Sequence, residues 1–263
     1  MFRWILNLAN RLVTLAVALA ILACGAYSGY ALWDNRQIYA EAEHVQQEIL
    51  TLKPHRAEGE QDEAEAPGFA QLLAINPDVC AWIEMEGTAI DHPVLQGMDN
   101  LSYINTDVYG NFALAGSIFL DSRNHRDFQD SVSLLYGHHM ENHAMFGDLD
   151  LYKDEDFFQR HRTGTLMTPD TQYTLETLAV LVLDAGDDVY FEPQAWNGKL
   201  DAFLAYTREH ALYFHVETMN ELEKRVAEGA QEAPRLLVLS TCSSEFSNAR
   251  TLVLTWMQEY EKD

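Results

Sequence analysis

An uncharged apolar run near the N-terminus is the feature that most limits what this chain can fold into. Residues 12–33 read LVTLAVALAILACGAYSGYALW, which is 22 residues without a charge. At 1.5 Å per residue, a helix of this length crosses a hydrocarbon core of about 30 Å. Trp4 and Trp33 lie near its two ends, where interfacial aromatic residues are expected. The run therefore predicts a single N-terminal transmembrane helix.

The distribution of charge predicts the orientation of that helix. Arg3 and Arg11 precede the run and no acid does, whereas residues 34–263 contain 15 Lys and Arg and all 41 Asp and Glu. The positive-inside rule then places residues 1–11 in the cytoplasm and the bulk of the chain outside the cell. Small-residue triplets within the run leave a cleaved signal peptide as the alternative, although the run is longer than a 7–15-residue signal core.

The acidity and the few cysteines exclude several classes of protein. A formal net charge of −24 repels nucleic acid and anionic lipid headgroups, so no nucleic-acid partner is expected. Three cysteines do not make a disulfide framework. No CxxC motif or Cys/His cluster with zinc spacing is present, so a structural zinc site is not expected either.

Residues 34–67 are predicted to connect the membrane span to a folded domain. Residues 34–53 carry apolar side chains at near-helical spacing and predict a helix that leaves the membrane. Residues 54–68 contain two prolines, two glycines and no large apolar residue, which is typical of a linker. We therefore expect a catalytic domain over residues 68–263.

This domain shows short apolar runs separated by turn residues, which predict a mainly β fold. Hairpin turns are expected at Gly87-Thr88 and at 169–171, and Pro93 should confine its strand to an edge or a bulge. Few helices interrupt the strands, which favours a closed or nearly closed barrel with helical insertions over a doubly wound α/β fold. The predicted strands are 80–86, 89–96, 117–121, 131–138, 164–168, 172–184, 236–242 and 251–258, and the predicted helices are 69–75, 145–152, 154–161 and 196–229, the last as two helices.

Three residues beside apolar strands could carry chemistry. Cys242 ends the run RLLVLSTC, His138 follows SVSLLYG, and Arg250 lies eight residues beyond Cys242. Gly137 would allow an unusual backbone before His138. Taken singly, each has another interpretation, namely a buried cysteine, a surface histidine and an ion-paired surface arginine. Together they indicate thiol acyl transfer, in which a thiolate attacks a carbonyl, an imidazole protonates the leaving amine and a guanidinium stabilises the oxyanion.

A histidine cluster offers a metal site as another interpretation. His138, His139 and His143 form an HHxxxH pattern. The pattern has no acid at the spacing of a known metalloprotease motif, so no metal site is expected.

Several motifs in 69–263 resemble those of class B sortases. They are NPDVCAWI (76–83), DNLSYI (99–104), GSIFLDSRN (116–124), YGHHM (136–140), MFGDL (145–149) and LSTCSSEFSNAR (239–250), the last similar to the sortase TLxTC motif with its downstream arginine. Segment 194–232 resembles the extra helix of that family. Cys80 and Ala81 depart from the valine-glycine pair common before this tryptophan, which affects local packing rather than chemistry.

The resemblance implies an eight-stranded sortase β-barrel and a role for each matching residue. Cys242 would be the nucleophile, His138 the acid/base and Arg250 the oxyanion-stabilising or substrate-positioning group. The resemblance further implies an oxyanion contact from the backbone N–H of Ser243, and substrate contacts from Asn100, Ile104 and Thr241.

The implied reaction is cysteine transpeptidation outside a Gram-positive membrane. The enzyme would cleave a C-terminal sorting signal on secreted proteins after a threonine and hold the acyl chain as a thioester. It would then join that chain to the amine of a lipid II-type cell-wall precursor or to a pilin lysine, with no cofactor. Two alternatives stay open: a hydrolytic extracellular cysteine peptidase, and an inactive barrel that acts as a binding module.

Overall fold

The chain divides into two compact units, Met1–Glu41 and Ala42–Asp263. The computed structural model describes residues 2–55, 68–140, 142–184, 186, 188–230, 233–242 and 248–260, and at Cys242 it describes the backbone. Residues 56–67, which make up most of the predicted linker, lie outside the described residues.

The N-terminal helix α1 spans Phe2–Leu50. No proline occurs before residue 54, so nothing in the sequence interrupts its hydrogen-bond ladder. The stretch Leu6–Leu50 includes a window with a mean hydropathy of 2.0, none of which is buried. By its length and composition, this helix can span a membrane, and it contains the predicted span 12–33. The helix ends where Leu52 and Lys53 donate to carbonyls only three residues back.

Nine strands in the described residues form one sheet that closes into a barrel. Eight of them follow the order β5-β1-β2-β3-β4-β8-β9-β6, and β6 pairs back with β5 to complete the ring, while β7 adds a short edge to β6. The pairs β2–β3 and β4–β8 are parallel and the others are antiparallel. The strands are β1 Val79–Met85, β2 Asp91–Leu95, β3 Ile118–Leu120, β4 Val132–Tyr136, β5 Thr163–Met167, β6 Gln172–Asp184, β7 Tyr213–Phe214, β8 Arg235–Cys242 and β9 Ala249–Glu259.

Helices are concentrated in the connection from β6 to β8. The described helices after α1 are α2 Phe69–Ile75, α3 Glu155–Arg160, α4 Asp188–Phe191, α5 Leu200–His210 and α6 Val216–Ala227, with 3₁₀ helices at Gly147–Lys153 and Pro193–Trp196. The prediction of two helices within 196–229 is confirmed by α5 and α6. The two-residue strand β7 between them was not predicted, because it is too short to show an alternating pattern.

The eight predicted strands are confirmed to within two residues at each end, as are both hairpin turns. The prediction of an edge strand at Pro93 is wrong, because β2 pairs with β1 on one side and with β3 on the other. The alternative, a bulge, agrees with the irregular β1–β2 register between Val79 and Ala81. Pro93 lies opposite Trp82 of β1, whereas β3 pairs only with Val94 and Leu95. The missing N–H of Pro93 is therefore not needed for the β2–β3 ladder.

The helical insertion covers one face of the sheet beside the site. Leu204 of α5 and Leu222 of α6 are fully buried in a cluster with Val238 of β8 and Leu254 of β9, which are cross-strand partners. Burial of a side chain of this size is worth about 1.5–3 kcal/mol. The β8–β9 pairing continues from there to Cys242 and Arg250.

Candidate active site

The parallel pairing of β4 with β8 brings His138 to the level of Cys242. Tyr136 lies opposite Ser240, and the N–H of Gly137 donates to the Ser240 carbonyl at 3.1 Å. His138 follows Tyr136 by two residues, and Cys242 follows Ser240 by two. The end of β4 that leads to His138 therefore lies beside the end of β8 that leads to Cys242.

The antiparallel pairing of β8 with β9 puts Arg250 opposite Cys242. The two residues are Cα partners, and Arg250 is also the partner of Leu183 on β6. Cys242, His138 and Arg250 therefore come from three adjacent strand ends. Ser243 lies in 243–247, outside the described residues, so its oxyanion contact stays a prediction.

His138 is held by its ring and by its backbone. Its Nε2 lies 2.7 Å from the carbonyl oxygen of Ile104, and its own carbonyl accepts the N–H of Phe146 at 3.0 Å. A carbonyl can only accept, so Nε2 carries the proton in this contact. Nδ1 is then the nitrogen that can exchange a proton with a reacting group.

Gly137 is required for space rather than for an unusual backbone. The φ angle of Gly137 is not positive, so the prediction of an unusual backbone conformation before His138 is wrong. A Cβ at this position would lie 2.4 Å from Cδ1 of Ile118 and 2.7 Å from the ring of Phe146. The absent side chain thus lets the corner before His138 pack closely against these two residues.

Arg250 is half-buried, and its guanidinium pairs with no acid among the described residues. Its Nη1 donates to the carbonyl of Ala249 at 3.1 Å. No carboxylate in the described part of the chain lies within ion-pair distance of Arg250. In a chain with 41 acids this is unexpected for an ordinary surface arginine. It leaves a cation beside the end of β8, where it can lower the pKa of a thiol and stabilise an oxyanion.

The three residues predicted to touch substrate have different environments. Asn100 donates to Asp121 Oδ2 at 2.9 Å and accepts the N–H of Ser122 at 2.7 Å, so both ends of its amide are engaged. Ile104 is half-buried and contributes its carbonyl to His138. Thr241 is 2% exposed, and its hydroxyl has no partner among the described residues. Their substrate contacts stay predictions.

A buried carboxylate beside the site was not singled out from the sequence. Asp121 accepts from Tyr136, from Asn100 and, through two nitrogens, from Arg123. Burial would raise the pKa of Asp121, but the hydrogen bonds and charge of Arg123 outweigh it and hold that pKa below the usual range. The signal was available, because Asp121 and Arg123 both belong to the GSIFLDSRN motif.

Arg123 also links the Asp121 carboxylate to the helical insertion between β6 and β8. Its Nη2 donates to the carbonyl of Phe191 at 2.6 Å, and its Nη1 pairs with Glu192 at 2.8 Å. The contacts of Asp121 therefore join Asn100, the end of β4 and the segment that contains α4.

The three histidines of the HHxxxH pattern have separate partners. His139 contacts Asp150 at 3.1 Å, His143 contacts Asp148, and His138 contacts a backbone carbonyl. Within the described ranges no group of three or more His, Cys, Asp or Glu side chains could hold a metal ion.

Cys80 is a free thiol in the core. It is 2% exposed, and its Sγ lies 3.5 Å from the carbonyl oxygen of Val94. Burial raises its pKa to about 12, so it is a poor nucleophile at neutral pH.

Comparison with known proteins relates this arrangement to one family, although no family model matches the chain. Sortase B of Listeria monocytogenes is 32% identical over 176 residues, a segment that spans 66% of this chain and 66% of that protein. A class B sortase of Streptococcus pyogenes involved in pilus biogenesis is 33% identical with a TM-score of 0.64, and the match covers 72% of this chain and 97% of that one.

A third match is a substrate complex. The structure of Staphylococcus aureus sortase B with its substrate has a TM-score of 0.68 and 26% identity, and the match covers 86% of this chain and 98% of that one. The matched region includes the barrel whose strand ends carry the cysteine, the histidine and the arginine. With this fold and these relatives, the chain belongs to the class B sortases, a family of cysteine transpeptidases.

Proposed function

We propose that this chain cleaves a C-terminal sorting signal on secreted proteins and joins the new carboxyl end to an amine. The observation that carries the proposal is the backbone pairing of Cys242 with Arg250, beside the strand end that bears His138. This backbone arrangement supports a site in which Cys242 is the nucleophile, Arg250 the cation and His138 the proton donor, as acyl transfer requires.

In the first half of the reaction the thiolate of Cys242 attacks the main-chain carbonyl carbon of the substrate threonine at the cleavage site. Negative charge develops on the carbonyl oxygen, where the guanidinium of Arg250 and the N–H of Ser243 would stabilise it. The C–N bond then breaks, and His138 gives its proton to the leaving amine. The product is a thioester on Cys242.

In the second half an amine attacks the thioester. Its proton passes to His138, the C–S bond breaks, and Cys242 leaves as a thiolate. We propose a cell-wall precursor of the lipid II type, or a pilin lysine, as the source of this amine. The pilin alternative draws support from the pilus-associated Streptococcus pyogenes relative.

The location proposed for this reaction is the outer face of a Gram-positive membrane. Helix α1 is long and apolar enough to anchor the chain, with residues 12–33 as the span. Positive charge before the span and the excess of acid after it favour a cytoplasmic N-terminus and a catalytic domain, 68–263, outside the cell. Exported substrates and lipid-linked precursors are both available there.

The test uses the full chain in detergent with a library of sorting-signal peptides and an added amine. We expect a thioester to be trapped on Cys242 in mass spectrometry, and amine-linked peptide to exceed hydrolysed peptide. Cys242→Ala is the matched control, which should form neither product. Hydrolysed peptide alone would instead support a cysteine peptidase, and peptide binding without any thioester would support a binding module.

A further inference from the structure

One carboxylate contacts the chain neighbours of both His138 and Arg250. Asp150 lies in the 3₁₀ helix Gly147–Lys153. Its Oδ2 is 3.1 Å from Nε2 of His139, which follows His138. Its Oδ1 is 3.0 Å from the hydroxyl of Thr251, which follows Arg250. A single side chain therefore connects the loop that bears the histidine with the strand that bears the arginine.

The donors and the acceptor in this bridge are well defined. A carboxylate can only accept, so the Thr251 hydroxyl donates to Oδ1 and the His139 Nε2–H donates to Oδ2. Thr251 is fully buried, and its hydroxyl would lose this partner if Asp150 were absent. Lys153 also pairs with Oδ1 at 2.8 Å and helps to hold the carboxylate in place. Hydrogen bonds to a charged group are stronger than neutral ones.

The other contacts described for the loop around His138 reach segments other than β9. Gly137 donates to Ser240 of β8, and the His138 ring contacts the carbonyl of Ile104. The bridge between His139 and Met145 and the bond from Phe146 to the His138 carbonyl lie within the loop and its immediate continuation. By contrast, Asp150 reaches Thr251 across 101 residues of chain.

We propose that Asp150 is a positioning residue that sets the distance between the imidazole of His138 and the guanidinium of Arg250. This inference rests on the proposed function, in which both groups act on the same reacting carbonyl. If the bridge is lost, the two groups shift relative to each other, although neither is removed. Small misplacements of reacting groups lower the rate of the chemical step by as much as about 100-fold.

The same loop offers a matched control. His143 contacts Asp148, which is in the same 3₁₀ helix as Asp150. The second oxygen of Asp148 accepts the N–H of Ala89 in the β1–β2 turn rather than a group on β9. His143→Gln therefore disturbs a histidine–carboxylate contact of the same kind that has no connection to Arg250.

The experiment measures kcat, KM and the melting temperature of the full chain with a cleavable sorting-signal peptide. Asp150→Ala and Thr251→Val should each lower kcat by about 10- to 100-fold while KM changes by less than about threefold. Thr251→Ser, which restores the hydroxyl, should recover most of the parent kcat. The double variant Asp150→Ala/Thr251→Val should be no slower than the slower single variant, because both remove one bridge.

The control variant His143→Gln should leave kcat at the parent value. A kcat for Thr251→Val equal to that for Thr251→Ser would overturn the proposal, as would an equal loss in His143→Gln. The Thr251 pair keeps the test valid if Asp150→Ala fails to fold.

A measurement made without substrate distinguishes failure of this inference from failure of the proposed function. Iodoacetamide alkylation of Cys242, followed by peptide mass spectrometry, reports the surroundings of the thiol without any peptide. The pH midpoint of alkylation should shift in Asp150→Ala and Thr251→Val and stay unchanged in His143→Gln. If these shifts occur although the parent transfers no peptide, the bridge stands and the proposed function fails. Unchanged midpoints in both variants would refute the bridge.

Discussion

Cys242 and Arg250 are direct cross-strand partners at the loop end of the β8–β9 hairpin. Residues opposite each other in an antiparallel pair are nearest neighbours across the sheet. The antiparallel register of β8 with β9 sets this relationship. His138 reaches the same place by a different route, through the parallel pairing of β4 with β8.

Replacement of Arg250 distinguishes a catalytic guanidinium from a structural one. Removing one oxyanion donor typically costs about 10²–10³ in turnover, so Arg250→Ala should lose activity on that scale with a nearly unchanged melting temperature. Arg250→Lys should recover only part of it, because an ammonium keeps the charge but not the planar fork. Turnover and thermal melting are measured together, and turnover of Arg250→Ala within about threefold of the parent would remove Arg250 from the site.

Cys242→Ala should abolish turnover and leave the fold intact. The substitution removes the sulfur that forms the thioester, but alanine supports the backbone pairing at the end of β8. Peptide cleavage and the melting temperature of the full chain check the two parts of this prediction. Substantial cleavage by Cys242→Ala would rule out the thiol mechanism.

Thiol accessibility should separate the two cysteines of the catalytic domain. Cys80 is buried with a pKa of about 12, so it should resist iodoacetamide in the folded chain and react after denaturation. Peptide mapping before and after adding denaturant measures this. Rapid labelling of Cys80 in the native chain would contradict its placement in the core.

Asp121→Ala should destabilise the domain and remove the acceptor of the Asn100 side chain. The side chain of Asp121 has no exposed surface, and its loss leaves Tyr136 and Arg123 without their main acceptor. Arg123 is 35% exposed and keeps its pair with Glu192, so the cost is that of unsatisfied hydrogen-bond donors, about 1–3 kcal/mol. Denaturant unfolding measures that loss, and Glu221→Gln, which breaks the exposed pair with Arg225, should leave unfolding unchanged.

The same carboxylate should contribute to acid sensitivity. The pKa of Asp121 is lowered in the folded chain, so its contribution is complete above the unfolded value of 3.8 and is lost as the pH falls toward the folded value. Asp121→Asn should therefore show less additional loss of stability below about pH 4 than the parent does. An identical acid profile in the variant would argue against the network around Asp121.

His92 should make the domain less stable over a window at mildly acidic pH. Burial lowers its pKa from 6.5 to about 4, and it is only 5% exposed. As the pH falls from about 6.5 to 4, the unfolded chain takes up a proton that the folded chain refuses, which costs about 3 kcal/mol in full. The dependence of unfolding free energy on pH checks this: His92→Phe should flatten the fall in that window, whereas replacing the exposed His44 should not.

Much of the fold follows from local pattern. Short apolar runs bounded by turn residues mark the eight barrel strands, and an uncharged run of 22 residues marks a helix that can span a membrane. The motifs around Cys242, His138 and Arg250 are also local. Such features depend on residues close in the chain, so a single sequence is sufficient to recognise them.

The relationships between distant segments required the tertiary structure. His138 and Cys242 lie about 100 residues apart, and the strand ends that precede them are neighbours only because β4 pairs with β8 in one particular register. A shift of that register by one residue would turn every side chain of the strand to the other face. The contacts of Asp121 with Asn100 and of Asp150 with Thr251 depend on the same packing. The sequence alone determined which residues could carry the chemistry; the closed barrel decided their neighbours, because its long-range pairings are set by the packing of the whole sheet.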